Sequence, residues 1–370
     1  MSSEELIYAM ALRSCPMIGD STFRKMLAIA GSAKEAWELS GKELSKIRKI
    51  RKSVTESLGN PVYLEKAIQE IEFCEKNNIK IIYALQEKLP GLLSECEDAP
   101  VFLFQKGNFD REKNNISIVG TRNITSYGRK FVHGFLEAAK EKSIQTISGL
   151  ALGVDTCVHE ESLHFQIPTV AVIAHGFHLE IYPAKNRKLA EKILENQGAI
   201  FSEYSSQQSF IKENFIQRNR IVAGISPSTC IVETAFRGGA ISTATFANNY
   251  NREVYALPGD INHKYSQGCN LLIAQNKASA IVDIAKLITD LGFQQTKEKQ
   301  LDLFEDFKDY SKLDKDQKSV IEVIIKTPGI QLEELSEEIG IASYRLLPIL
   351  LTLELETYIK TNSSKQYFPI

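Results

Sequence analysis

At 370 residues the chain is long for a single domain and points to two or three, and 43% hydrophobic content lets it bury a substantial core. Its 44 Lys and Arg stand against 46 Asp and Glu, a formal net charge of −2, which excludes a global basic field and confines any nucleic-acid site to a local patch. Six scattered cysteines without a Cys-x-x-Cys pair exclude a zinc ribbon or thioredoxin-like chemistry and read as reduced core thiols.

The opening residues MSSEELIYAM are acidic and lack a long apolar stretch, so no signal peptide is expected. No apolar run reaches bilayer length, and a cytoplasmic protein without membrane association is expected. Helices are predicted over Glu4 to Arg13, from Ser21 to Gly31 and around Trp37. Pro16-Met17-Ile18-Gly19 resembles the hairpin of a helix-hairpin-helix unit, and Lys46, Arg48, Lys49, Arg51 and Lys52 form a basic run; both read first as solvated surface. A helix from Tyr63 to Lys76, a strand at Ile79 to Tyr83 and a connector without chemistry follow.

From Ile116 the pattern becomes strand, loop, helix, repeated. Strands are predicted at Ile116 to Val119, Gln145 to Ser148, Thr169 to Ala174, Ala199 to Ser202, Cys230 to Val232 and Glu253 to Leu257, with Ala280 to Val282 as an edge. Alternation of this kind implies an α/β fold with a doubly wound, parallel, Rossmann-like sheet, whose ligands bind beyond the strands' C-terminal ends. The glycine turns fall at those ends: Gly120-Thr121-Arg122, Ser148-Gly149 through Gly153, and Arg237-Gly238-Gly239. Small residues there let a ligand approach the backbone, and a helix N-terminus after a glycine turn suits an anion. Arg218, Asn219 and Arg220 add a cluster of strong donors, and Phe215, three residues earlier, is an aromatic placed for base stacking or for core packing.

No catalytic set emerges. Asp155 and His159, four apart, read as a hydrogen-bonded pair fixing a helix N-terminus rather than as a metal or acid–base site. Ser148, Asp155 and His159 lack the G-x-S-x-G elbow of a nucleophile. A G-x-G-x-x-G after the first strand is absent, which argues against NAD. The alternative to a binding protein is an enzyme like the nucleoside-monophosphate phosphoribohydrolases, with Glu233 at its strand end as the counterpart of their catalytic Glu, although their Pro-Gly-Gly-x-Gly-Thr-x-x-Glu pattern is missing.

After Asp290 the composition turns polar, as in a linker. Helices at Gln317 to Ile325, Leu332 to Ile339 and Tyr344 to Leu355, then a hairpin from Tyr358-Ile359-Lys360 to Tyr367-Phe368-Pro369, have winged-helix order. Residues 311–370 carry seven basic and nine acidic side chains, which favours protein binding or packing over DNA reading. The expected division is 1–60 helical module, 61–110 connecting extension, 111–290 sheet domain, 291–311 linker and 312–370 winged helix.

Five motifs in order carry a resemblance to the DNA-processing protein A (DprA/Smf) family: Gly120-Thr121-Arg122, Gly149-Leu150-Ala151-x-Gly153-x-Asp155, Arg218-Asn219-Arg220-Ile221, Gly238-Gly239 before Thr243-Ala244, and Leu257-Pro258-Gly259. The resemblance covers roughly Leu89 to Ala280 and implies a protein that binds single-stranded DNA, protects incoming DNA and loads the RecA recombinase during natural transformation, without cofactor, metal or catalysis. It further implies a homodimer formed near Gly268 to Ala280, an N-terminal module of SAM or helix-hairpin-helix type, and a basic groove position at Lys185 beside Asn186 in the Tyr182-Pro183 loop. In the linker, Gln300-Leu301-Asp302-Leu303-Phe304 resembles the peptide by which bacterial DNA enzymes dock on the replication sliding clamp, with Leu303 and Phe304 as anchors.

Overall fold

Short apolar runs rich in Val and Ile form the strands of one large sheet, because only a strand buried on both faces tolerates side chains without alternating polarity. The computed structural model describes residues 3–39, 57–293, 313–356, 358–362 and 366–369. The Lys46 to Lys52 basic run and the Gln300 to Phe304 motif lie outside the described residues. Two compact units are present, 1–297 and 298–370.

The first unit opens with α1 (Ser3–Ser14), α2 (Asp20–Ala30), α3 (Ala33–Trp37) and α4 (Pro61–Lys76), followed by β1 (Lys80–Tyr83) and β2 (Phe102–Gly107). Gly19 stands at the N-cap of α2, and the Ile18 carbonyl accepts from Arg13. These helices share one apolar cluster with the two strands, in which Phe23, Tyr83 and Phe102 meet ring to ring. The β2 strand occupies a stretch that the sequence pattern presents as connector.

Then β3 (Asn114–Val119), α5 (Ser126–Ala139), β4 (Ile144–Ser148), α6 (Val154–His164), β5 (Thr169–Val172), α7 (Arg187–Glu195) and β6 (Ala199–Ser202) alternate. After α8 (Asn214–Ile225) come β7 (Ser228–Ile231), α9 (Gly239–Asn249), β8 (Glu253–Ala256), α10 (Gln267–Ala274), β9 (Ser279–Ala280) and α11 (Ile284–Asp290). The sheet order is β1-β2-β6-β5-β4-β3-β7-β8-β9, parallel from β6 to β9, with β1 and β2 added antiparallel on β6. Its period of two divides neighbours between faces: Val119 and Ile231 join one core, Ile118 and Cys230 the other. All six cysteines are buried and unpaired, and burial pushes the Cys230 and Cys269 thiols up to about 12.

From β3 the chain builds outward through β4, β5 and β6, then returns to lay β7 on the other side of β3. The strand order therefore reverses between β3 and β7. That switch point opens a crevice where the two following loops diverge.

The second unit contains α12 (Lys315–Lys326), β10 (Ile330–Gln331), α13 (Leu332–Ile339), α14 (Ser343–Leu355), β11 (Ile359–Thr361) and β12 (Gln366–Pro369). Its strands form an antiparallel sheet in the order β10-β12-β11. Asp314 and Gln317 close a capping box on α12, and Leu335, Leu346, Leu350 and Leu353 fill the core.

Candidate anion-binding cavity at the switch point

A cavity of about 410 Å³ lies at this crevice. Its walls come from the loop after β3 (Gly120, Thr121, Arg122), the loop after β4 (Gly149, Ala151), the turn and start of α9 (Gly238, Gly239) and one side of α8 (Phe215, Arg218, Asn219). The sequence points to all these residues, Ala151 through the Gly149-Leu150-Ala151 motif. Thr234, in the loop after β7, and Lys264 and Tyr265 also line it and carry no sequence signal, the last two because a polar loop after Leu257-Pro258-Gly259 has no periodicity.

Three hydrogen bonds fasten the walls. Thr121 N–H donates to the Glu233 carbonyl at 2.6 Å, Val154 N–H to the Thr121 carbonyl at 3.0 Å, and Thr234 N–H to the Tyr265 carbonyl at 2.6 Å. Gly120 is required by closeness: a Cβ there would stand 2.5 Å from the Val154 side chain. Gly153 combines φ +85° with the Arg122 backbone alongside, so no side chain fits without displacing the loop that presents Arg122.

The cation at the centre is Arg218, 4% exposed. Its Nη1 donates to the Gly149 carbonyl at 2.6 Å and to the Val172 carbonyl, and its Nε to Asn219 Oδ1 at 3.3 Å, while Nη2 enters none of these bonds. A buried guanidinium held by neutral carbonyls keeps its charge for a ligand, because removing its proton is prohibitive. Asp155 is the nearest compensating group, and burial pushes its carboxyl up despite the pull of Arg218. Gly149 lies between the two: a Cβ would sit 2.6 Å from Arg218 Nη2 and 2.7 Å from Asp155 Oδ2. Asn219 Nδ2 reaches Ser242 Oγ at 3.0 Å and so ties α8 to the start of α9. Exposed Arg122 lies over the Phe215 ring, 5.8 Å from its centroid.

Other residues expected at the site stand elsewhere. Arg220 is buried on another side of α8, paired with Glu203 and donating to the Asp98 carbonyl. Ser148 is fully buried and donates to the Ile118 carbonyl at 2.7 Å. Asn186 is buried and holds the loop after β4 through the Leu150 carbonyl and Thr156 Oγ1, both at 2.8 Å. Lys185 borders a separate depression with Glu160, His164, Lys188 and Lys192. Asp155 and His159 do not bond each other: Asp155 accepts from Ala151 N–H at 3.2 Å, and His159 Nδ1 meets Thr169 Oγ1 at 2.7 Å. Glu233 is occupied too, its oxygens accepting from Thr125 N–H at 2.8 Å and Thr125 Oγ1 at 2.6 Å, and it is absent from the cavity lining.

Residues 80–292, more than half of the chain, match the family model described as DNA recombination-mediator protein A. Protein Smf of Synechocystis is 29% identical over 297 residues, covering 79% of this chain and 74% of that protein. The DNA processing protein DprA of Streptococcus pneumoniae is 36% identical over 206 residues, covering 55% and 69%. The X-ray structure of the S. pneumoniae DprA superposes with a TM-score of 0.58 at 26% identity, covering 78% of this chain and 98% of that one. DprA from Helicobacter pylori, whose structure concerns a single-stranded DNA binding mode, gives 0.52 at 26% identity, covering 58% and 97%. The chain belongs to the DNA-processing protein A (DprA/Smf) family, whose model describes a DNA recombination mediator.

Proposed function

We propose that this protein binds single-stranded DNA with the backbone phosphates in the switch-point cavity, protects incoming strands and delivers them to the RecA recombinase in natural transformation. One observation carries this reading: a buried guanidinium, Arg218, faces a cavity whose other walls are glycine turns, the start of α9 and the exposed cation Arg122. Such a lining favours an anion of extended shape. The single-stranded DNA binding of the H. pylori relative supports it.

Within the same reading, the protein acts in the cytoplasm as a homodimer formed near Gly268 to Ala280. The exposed edge strand β9 and the exposed Val282 beside it favour an interface there. The 313–369 unit has three helices with a small antiparallel sheet, which suits a winged helix, and α14 exposes Tyr344, Leu347, Leu351 and Leu355 where a DNA reader would show cations. It is taken as a protein-binding or packing module, and deletion of residues 311–370 is expected to leave DNA affinity nearly intact. Clamp docking through Gln300, Leu301, Leu303 and Phe304 is tested with the isolated peptide against its Leu303→Ala/Phe304→Ala variant on purified clamp.

The decisive experiment is fluorescence anisotropy of labelled oligothymidylate over a salt series. Counterion release gives a log–log slope of about 0.7 per phosphate contact on single strands. Arg122→Ala is expected to weaken binding and flatten the slope by roughly that amount. An unchanged affinity and slope in the folded variant removes the cavity from the binding path.

A further inference from the structure

Beside the cavity three aromatic rings close a triangle. Ring centroids of Tyr182 and Phe210 are 5.5 Å apart, those of Tyr182 and Phe215 5.5 Å, and those of Phe210 and Phe215 5.6 Å, with interplanar angles from 59° to 76°. Edge-to-face contacts of this kind usually fill a core. Here Tyr182 is 48% and Phe210 42% exposed, and the neighbouring Ile211 and Ile216 are exposed as well. Rings that served packing alone would be covered. Contiguous apolar surface next to a polar cavity marks a place where something binds.

The placement says what it binds. Tyr182 comes from the loop after β5, Phe210 from the segment after β6, and Phe215 from the first turn of α8. The cavity lies over β3 and β7, and β6 stands three strand spacings from β3, about 14 Å along the same edge of the sheet. Phe215 belongs to both features, since it lines the cavity and lies under Arg122. Cation and ring are thus joined into one track along the strands' C-terminal ends.

Tyr182 is also held in place. Its N–H donates to His175 Nε2 at 3.3 Å, so the imidazole proton resides on Nδ1, which donates to the Gly176 carbonyl at 3.0 Å. Burial pushes the His175 pKa down and keeps the ring in this neutral tautomer.

We propose that Tyr182 and Phe210, with Phe215, form a base-stacking bracket for the nucleotides that leave the phosphate cavity, and that this bracket makes the site select unpaired strands. The proposal rests on the DNA reading of the cavity. Every base offers a π-face, so stacking is tolerant of sequence, and in a duplex those faces are already taken by neighbouring bases. The cavity alone recognises phosphates, which single and double strands share.

The test uses the full-length protein with three ligands of equal length: oligothymidylate, an abasic phosphodiester and a duplex. Wild type is expected to bind oligothymidylate about tenfold or more tighter than the other two. Tyr182→Ala/Phe210→Ala loses that preference with an unaltered salt slope, and Tyr182→Phe/Phe210→Tyr, which keeps both rings, restores it. Arg122→Ala weakens all three ligands and flattens the slope. A folded Tyr182→Ala/Phe210→Ala protein that still prefers bases over abasic backbone overturns the bracket alone. Absence of binding to any strand by wild type overturns the cavity reading and the bracket with it.

Discussion

Arg218 and Arg220 stand two residues apart on α8, and that spacing turns them to different sides of the helix. Arg218 holds the carbonyl of Gly149 at the cavity wall, while Arg220 pairs with Glu203 and, at 3.7 Å, with Asp20 at the start of α2. One motif therefore does two jobs: its first arginine equips the cavity and its second anchors the N-terminal helices to the sheet. Arg220→Ala strands the Glu203 carboxyl, already pushed up by burial, and is expected to cost about 3–5 kcal/mol in urea unfolding at pH 7. A carboxyl raised in the fold is tolerated once protonated, so the deficit shrinks as pH falls below the raised folded value and is gone near the unfolded-state value of about 4.3. Arg220→Met/Glu203→Leu, which removes both charges, recovers most of the loss. Full stability of Arg220→Ala at pH 7 would show that the pair does not anchor the module.

Much of this architecture was legible in residue order. Buried parallel strands are short and apolar, and Ile116 to Val119 stands out because it runs directly into Gly120-Thr121-Arg122, which makes that cavity wall legible. The Arg-Asn-Arg cluster was misleading because α8 was not recognised: its Ile221-Val222-Ala223 run suits a buried strand as well as a helix, and only the 3.6-residue turn separates the two arginines. Phe102 to Gly107 escaped notice because Pro100 precedes it and polar Gln105 and Lys106 end it, as befits a strand paired antiparallel next to the outermost strand. Tyr182 and Phe210, 28 positions apart, carry no local signal; the loops after β5 and β6 bring them together.

Glu233 discriminates mediator from hydrolase. Both its oxygens are engaged by Thr125, and a Cβ on Gly128 would lie 2.7 Å from Oε2, so the carboxylate braces the start of α5 and has no access to a substrate. Wild type is expected to release no free base from nucleoside monophosphates. Glu233→Gln is expected to lose about 1–3 kcal/mol of stability through the weakened brace. Hydrolysis by wild type that disappears in Glu233→Gln would revive the enzyme reading.

His159 sets an acid limit. It is fully buried, its Nε2 has no hydrogen-bond partner, and burial followed by Arg218 pushes its pKa down to about 3. Between the unfolded value of about 6.5 and the folded one, the unfolded chain takes up a proton that the folded chain refuses. Stability is therefore full above this window and falls with decreasing pH, by up to about 1.4 kcal/mol per unit. From pH 7.5 to 5.0, wild type is expected to lose about 2 kcal/mol more than His159→Gln. Equal losses in the two proteins, followed by chemical denaturation, would assign the acid sensitivity elsewhere.

Gly149 and Gly239 line the same cavity for different reasons, and one substitution at each separates fold from ligand. A Cβ at Gly149 meets protein at once, 2.6 Å from Arg218 Nη2, whereas a Cβ at Gly239 meets nothing within 4 Å. Gly149→Ala must push aside a guanidinium that two carbonyls hold, so it is expected to lower stability by about 1–3 kcal/mol and to disturb the cavity indirectly. Gly239→Ala leaves the fold unstrained and gains helix propensity at the first position of α9, so stability stays level or rises by up to about 1 kcal/mol. Any loss of DNA affinity in Gly239→Ala then arises from contact between the new methyl and the bound strand. Thermal melts and anisotropy on the two variants decide the matter. If Gly239→Ala and the bulkier Gly239→Leu both melt like wild type and bind single strands with undiminished affinity, the backbone at the start of α9 is not where the phosphates lie.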